Sequence, residues 1–191
     1  MKKIIFVFSA LFLLAHAGQA QKFFTRDAKI KFSSETPMEK IEGLNKSGTC
    51  VLDAATGKME WKVLIKGFLF EKALMQEHFN ENYLESSVYP NAQYKGQITN
   101  LNEVKFNQDG KYNVKTSGKL TIHGVERDVN MEGTLKVSNG NLEVLSNFVI
   151  KPEDYKITIP SLVKDNIAKE IKVVVSAVFA PLVICYWLLV W

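Results

Sequence analysis

The chain has 191 residues, with 24 Lys or Arg against 20 Asp or Glu and a formal net charge of +4. The lysines are scattered, which excludes the clustered basic surface that marks a nucleic-acid-binding protein, so we expect no nucleic-acid partner. The length suits one domain with a single hydrophobic core.

The N-terminus has the organisation of a secretory signal peptide. Lys2 and Lys3 precede an apolar run over 4–15, and small residues follow at positions 17, 18 and 20. A positive start, an apolar run too short to span a bilayer and small residues before a cut site are typical of such peptides. We predict a signal peptide over 1–20, with cleavage after Ala17 as the alternative, and a mature protein that is periplasmic or secreted.

The mature region is predicted to be rich in short β-strands. Five stretches alternate apolar and polar residues with a period of two: Lys58–Lys66, Tyr112–Ile122, Val129–Val137, Leu142–Ile150 and Ile171–Phe179. Period two places the apolar residues of each strand on one face. Hairpin signals such as Asp109-Gly110, His123-Gly124 and Asn139-Gly140 separate the stretches. This pattern indicates one antiparallel meander, closed as a barrel or folded as a sandwich.

One segment has a helical pattern instead. Between Phe68 and Tyr83, the apolar residues Met75, Phe79 and Tyr83 recur every four positions, which is typical of an amphipathic helix. Tyr89-Pro90 lies beyond the helix end, since the residue before a proline avoids helical geometry. A second short helix is expected over 161–167. The first helix either plugs one barrel end or carries an aromatic patch, formed by Phe68, Phe70, Phe79, Tyr83 and Tyr89.

Residues for catalysis or metal binding are scarce. His78 and His123 lie in different predicted elements, and the sequence has no HExxH, CxxC, phosphate-binding glycine loop or GxSxG motif. We therefore expect no catalytic residue, no metal, no cofactor and no enzyme activity. By strand parity His123 turns away from Leu120 and Ile122, so we expect it to hydrogen-bond backbone or a nearby carboxylate, with ligand or metal contact as the alternative.

Two motifs resemble a known family. Gly118-Lys119-Leu120-Thr121-Ile122-His123-Gly124-Val125 is similar to the signature strand and turn of the YceI-like proteins. Upstream, Met75-Gln76-Glu77-His78-Phe79 followed by Tyr83-Leu84, Tyr89-Pro90 and Tyr94 resembles the short helix and aromatic segment of that family. The resemblance extends over residues 23 to 180.

The resemblance implies an extended, lipocalin-like, eight-stranded antiparallel β-barrel with one or two short helices. It also implies an exported binding or carrier protein that holds a polyisoprenoid, a quinone-like or polyprenyl lipid, inside the barrel. The alternatives are a structural or stress-protective envelope protein whose own side chains fill the cavity, and a lipid-modifying enzyme. The candidate ligand-binding residues are Phe68, Phe70, Met75, Phe79, Tyr83, Leu84, Tyr94 and Phe148.

The sequence departs from the family in two places. The Arg-Asp pair common before the family's helix is absent, since Met75-Gln76-Glu77 stands there, so this chain lacks a pair that could orient a head group. The chain also continues past Pro181, the expected end of a barrel domain over 21–181.

No charged residue occurs between Val173 and Trp191. We interpret 173–179 as the last barrel strand and 182–191 as an apolar tail of unassigned role. Membrane contact through that tail, or an anchor formed by the whole run, stays open. So do dimer formation and the state of Cys50 and Cys185, as a disulfide or as two buried thiols.

Overall fold

The computed structural model describes residues 21–182, so the predicted signal peptide and residues 183–191 of the predicted tail lie outside the described residues. Eight strands follow one another: β1 (Lys22–Glu35), β2 (Lys40–Asp53), β3 (Lys58–Leu64), β4 (Asn91–Ile98), β5 (Gly110–Ile122), β6 (Val125–Ser138), β7 (Asn141–Ile150) and β8 (Ile171–Pro181). The helical elements are α1 (Ala73–His78), a π-helical turn (Phe79–Tyr83) and 3-10 segments Ile65–Gly67, Leu101–Glu103, Pro152–Tyr155 and Ser161–Asn166.

The sheet is an up-and-down meander closed into a barrel. Each strand pairs antiparallel with the next, and β8 returns to pair with β1, for example Phe32 with Val173. The prediction of an eight-stranded antiparallel barrel is therefore confirmed, and 173–179 lies within β8.

The meander gives the barrel two different ends. Connections 36–39, 65–90, 123–124 and 151–170 gather at one end, here called the mouth end. The shorter connections 54–57, 99–109 and 139–140 gather at the other, here called the plugged end. All helical segments except Leu101–Glu103 therefore lie at the mouth end.

Tight apolar packing closes the plugged end. The connection between β4 and β5 folds inward there, with Val104 buried and the Phe106 ring stacked on Phe23 at 6.1 Å between centroids. Leu52, Leu142 and Phe179 are almost completely buried in the same cluster. Such a core excludes solvent from this end of the barrel.

Glycines on the inner face make room for aromatic rings. Phe32 of β1 lies directly opposite Gly43 of β2, and its ring covers the glycine. In β4 the Tyr94 ring lies over Gly96 in the same way. Gly96 is paired with Gly118 of β5, where a Cβ would meet the backbone of β4. The close approach of β4 and β5 therefore requires Gly118, the first glycine of the family-like motif.

The predicted first helix is shorter than expected. Phe68 and Phe70 precede it in non-helical backbone, and α1 begins only at Ala73. Its last turn widens, since the Leu84 amide donates to the Phe79 carbonyl oxygen, five residues back, at 2.9 Å. Glu85, at a φ of 42°, then reverses the chain before Tyr89-Pro90. The second predicted helix is the 3-10 segment Ser161–Asn166.

Truncations test the role of β8. A chain ending at Pro181 keeps all eight strands and loses from the described residues only the bond from the Leu182 amide to the Lys22 carbonyl oxygen. We expect it to be folded and soluble. A chain ending at Lys172 loses nearly all of β8 and exposes unpaired edges on β1 and β7, so it should aggregate. Far-ultraviolet circular dichroism and size-exclusion chromatography compare the two, and a folded 1–172 protein would contradict the assignment.

Candidate ligand-binding cavity

The barrel interior contains a cavity of about 570 Å³ above the plugged end. Its wall is almost entirely apolar and draws on every strand. Residues of the mouth-end connections line it, including Leu74, Met75 and Val163, whereas none from 54–57, 99–109 or 139–140 does. The volume is within the range of about 300–1,000 Å³ typical of small-molecule sites. The cavity is thus closed at one end and reached from the other.

Four phenylalanines form the wall nearest α1. The Phe79 ring lies 4.9 Å from Phe70, 5.2 Å from Phe32 and 5.6 Å from Phe68, measured between centroids. Phe32 also contacts Phe68 at 5.4 Å. Tilted and edge-on arrangements at these distances are favourable for aromatic pairs. This aromatic cluster holds the connection 65–90 against β1 and presents ring surface to the cavity.

The structure brings all eight predicted site residues to this one cavity. Its wall includes Phe68, Phe70, Met75, Phe79, Tyr83, Leu84, Tyr94 and Phe148. Their place on the wall is a structural fact, whereas their contact with a ligand stays a prediction. Tyr89, which the sequence grouped with them, lies elsewhere and packs edge-on against the His123 ring at 4.6 Å.

Sequence reasoning missed several wall residues. Phe32 is central to the aromatic cluster, and Trp61 of β3 packs edge-on against Phe179 at 5.6 Å. Trp61 and Phe179 were placed on inward faces but not proposed as site residues. For Phe32 the available signal was the alternation of Ala28, Ile30 and Phe32 with lysines between them.

Polar contacts at the mouth join three separate segments. Glu39, from the turn between β1 and β2, accepts a hydrogen bond from the Asn166 amide group at 3.3 Å. The same carboxylate lies 3.7 Å from the Lys72 ammonium group at the start of α1. The buried Ser34 hydroxyl accepts a hydrogen bond from the Ala168 amide at 2.8 Å. These contacts set the position of the mouth-end connections over the cavity.

Two titratable side chains on the cavity wall, Tyr94 and Cys50, are buried. The Tyr94 hydroxyl is buried with no hydrogen-bond partner among residues 21–182, and burial raises the pKa of this phenol. Cys50 is 1% exposed, and desolvation raises the pKa of its thiol far above the ordinary range. Cys185 lies outside the described residues, so the question of a disulfide stays open.

Contacts with neighbouring segments hold the His123 side chain in place at the mouth end. It occupies the two-residue turn between β5 and β6, with a φ of 51° followed by 71° at Gly124, as a type I′ hairpin requires. Its Nδ1 donates to the Tyr155 carbonyl oxygen at 3.2 Å, and Nε2 lies 2.6 Å from a Glu85 carboxylate oxygen. The ring is nearly buried but, unlike Leu120 and Ile122, it is not on the wall of the cavity, as the strand-parity argument predicted. The expected backbone and carboxylate partners are present.

Two other kinds of feature were sought in the described part of the chain: metal sites and membrane-spanning helices. Within 21–182 no group of three or more His, Cys, Asp or Glu side chains is arranged to hold a metal ion. No helix over those same residues is long and apolar enough to cross a membrane.

A closed eight-stranded antiparallel barrel around a large apolar cavity defines a lipocalin-like fold. Residues 22–179 match the model of the YceI-like domain. The chain belongs to the YceI-like domain family. None of the curated proteins matches its sequence.

Solved structures share this fold at low sequence identity. A polyisoprenoid binding domain from Saccharophagus degradans, implicated in plant cell wall breakdown, superposes with a TM-score of 0.73 at 13% identity, covering 85% of this chain and 98% of that one. BcnA from Burkholderia cenocepacia has a TM-score of 0.65 at 19% identity, over 80% and 96% of the two chains. The YCEI protein of Campylobacter jejuni has a TM-score of 0.55 at 19% identity, over 73% and 83%.

Replacement of His123 tests its structural role. His123→Ala removes the polar contacts with Tyr155 and Glu85 and the edge-on packing against Tyr89. Because Glu85 is half-exposed and regains water, we expect a loss of about 1 kcal/mol in the free energy of unfolding. Urea denaturation measures the change, with His78→Ala, at an exposed helix position, as the control. Lipid extracted from the folded variant should match the wild type, and its absence would indicate a direct role in binding.

Alkylation tests the burial of Cys50. Because desolvation raises the pKa of the thiol, little thiolate forms at pH 8, and the apolar wall also blocks the reagent. In a Cys185→Ser background, iodoacetamide should modify Cys50 at least roughly tenfold more slowly in the folded protein than in urea. Raising the pH to 9 should accelerate the urea reaction but not the folded one. Intact-mass spectrometry measures both rates, and equal rates would contradict the burial.

Proposed function

We propose that this protein is an exported binding or carrier protein that holds a polyisoprenoid, such as a quinone-like or polyprenyl lipid, in its barrel. The observation that carries the proposal is the apolar cavity of about 570 Å³, walled by the aromatic cluster and open toward the mouth end. Family membership supports it, as does the fold shared with a polyisoprenoid binding domain.

The cavity volume and its apolar wall suit an apolar ligand of limited length. At about 30 Å³ for each carbon, the volume that a water molecule takes in the liquid, 570 Å³ holds on the order of 20 carbons. Burial of each methylene stabilises a complex by about 0.8 kcal/mol, so a prenyl chain of this length is held without a charged anchor. Longer chains would extend beyond the mouth.

The other candidate functions have less support. A protein whose own side chains fill the barrel would not leave a cavity of this volume between them. An enzyme acting on the lipid would need polar reacting groups at the cavity, whereas the wall is almost entirely apolar. Export rests on the signal peptide predicted for residues 1–20, and N-terminal sequencing of the secreted protein tests it directly.

Extraction is the primary test of lipid binding. The full-length protein is purified from a periplasmic or secreted fraction without detergent, extracted with organic solvent and analysed by mass spectrometry. We expect a prenyl-chain lipid at near-equimolar amount. If the protein takes up no prenyl lipid even after incubation with geranylgeraniol, a C20 alcohol, the proposed function is wrong.

A charge introduced into the aromatic cluster tests the role of the cavity. Phe79→Asp places a carboxylate among Phe32, Phe68 and Phe70, where no partner compensates its desolvation when lipid is bound. We expect at least a roughly hundredfold loss of geranylgeraniol affinity with the β-rich spectrum retained. Tyr83→Asp should act similarly. Leu162→Asp, at a mouth-end side chain that is 96% exposed and off the cavity wall, is the matched control. Undiminished binding by both cavity variants would mean that the helix only plugs the barrel.

A further inference from the structure

The barrel wall has an interruption between β6 and β7. Their pairing runs from Ser138–Asn141 to Gly133–Ser146 and stops there, although both strands continue toward the mouth end. Over 125–132, β6 has β5 as its only strand partner, and over 147–150, β7 has only β8, within the described chain. Every second residue of these two edges therefore turns its amide and carbonyl groups into the gap.

The gap is a bounded window rather than a frayed edge. At its lower limit the Ser146 hydroxyl donates to the Glu132 carbonyl oxygen at 2.7 Å. At its upper limit Arg127 Nε donates to the Asp154 carbonyl oxygen at 2.8 Å, joining β6 to the segment that follows β7. The window between these contacts is thus held open by specific hydrogen bonds.

A second pocket, of about 330 Å³, occupies this window, and we call it the side pocket. It adjoins the main cavity, because Leu120, Met131, Phe148 and Ile150 line both. On its outer side it is lined by Asn130, Val149, Lys151, Asp154 and Glu170. A pocket of mixed polar and apolar lining therefore lies beside an almost wholly apolar cavity and shares four apolar side chains with it.

We infer that the side pocket binds the uncharged, hydrogen-bonding head group of the lipid whose chain occupies the main cavity. The inference rests on the proposed function. Strand-edge amides and carbonyls supply both donors and acceptors, as does Asn130, and a quinone or alcohol head can use them in place of water. The lipid chain passes the Met131 and Phe148 side chains, which line both the side pocket and the main cavity.

The charges around the side pocket select against an anionic head. Of the three charged residues that line it, Asp154 and Glu170 are acidic, and Lys151 lies 3.7 Å from the Glu170 carboxylate. The outward residues of β6 beside it include the exposed Glu126, Asp128 and Glu132. The cation beside Glu126 and Asp128 is Lys119, at 2.7 and 3.7 Å. Arg127, at the upper limit of the window, is the third cation after Lys119 and Lys151, so the five carboxylates remain in excess. A prenyl diphosphate would meet net negative potential there, whereas a neutral head would not.

Three C20 probes separate chain binding from head-group binding: geranylgeraniol, geranylgeranyl diphosphate and the hydrocarbon phytane. Each displaces the fluorescent apolar dye N-phenyl-1-naphthylamine from the full-length protein. For the wild type we expect geranylgeraniol to bind at least tenfold more tightly than either other probe. If none of the three displaces the dye or binds, the proposed function itself fails.

Val149→Trp fills the side pocket from its outer edge and should weaken geranylgeraniol binding about tenfold while leaving phytane unchanged. Val178→Trp, at an exposed outward valine of β8 that lines neither pocket, is the matched control and should change neither. Circular dichroism and thermal denaturation confirm that both variants are folded. If Val149→Trp weakens phytane to the same extent, it disturbs the main cavity and the assignment is wrong.

Two further variants complete the test. Glu170→Gln frees Lys151 and should improve geranylgeranyl diphosphate binding severalfold without improving phytane binding. Tyr94→Phe removes the unpartnered hydroxyl on the main cavity wall and should leave the preference for the alcohol intact. If Tyr94→Phe abolishes that preference and Val149→Trp does not, the head group lies in the main cavity and the side-pocket assignment is overturned.

Discussion

Strand β1 pairs with β2 along one side and with β8 along the other, and this double pairing converts a meander into a barrel. Register shifts around Ala28 let the long strand bend enough to serve both neighbours. In the closed sheet, the apolar face of every strand points into the barrel interior. The eight-stranded circumference then fixes how much volume the side chains must fill or leave open.

The side chains divide that interior unequally. At the plugged end, Phe23, Phe106 and their neighbours pack as a conventional core, whereas toward the mouth the rings lie flat against glycines. The Phe32 ring lies over Gly43 of the neighbouring strand, and the Tyr94 ring lies over Gly96 of its own strand. A side chain at either glycine would occupy the space of the ring, so these glycines help to leave a cavity in a barrel of a size that side chains can otherwise fill.

Much of this architecture could be predicted from the sequence, because period-two alternation and hairpin dipeptides are local signals. The two motifs then indicated the family. The features that could not be predicted depend on contacts between residues far apart in the chain. The sequence near Met131 and Phe148 does not indicate that the pairing of β6 with β7 stops at Gly133. The partners of His123, Tyr155 and Glu85, lie 32 and 38 residues away along the chain, so no local pattern identifies them. Phe79 and Tyr83 recur at helical spacing, yet the backbone between them is a π-turn, set by packing against β1 rather than by propensity.

The two ends of the described chain lie side by side, because Phe23 pairs with Pro181 and the Leu182 amide donates to the Lys22 carbonyl oxygen at 2.7 Å. Both ends therefore leave the barrel at the plugged end, opposite the mouth. A fusion partner or surface tether attached through either end projects away from the cavity entrance and leaves it unobstructed. The same proximity makes the barrel suited to circular permutation, with a short linker joining the ends and new termini at the exposed Asn139-Gly140 turn.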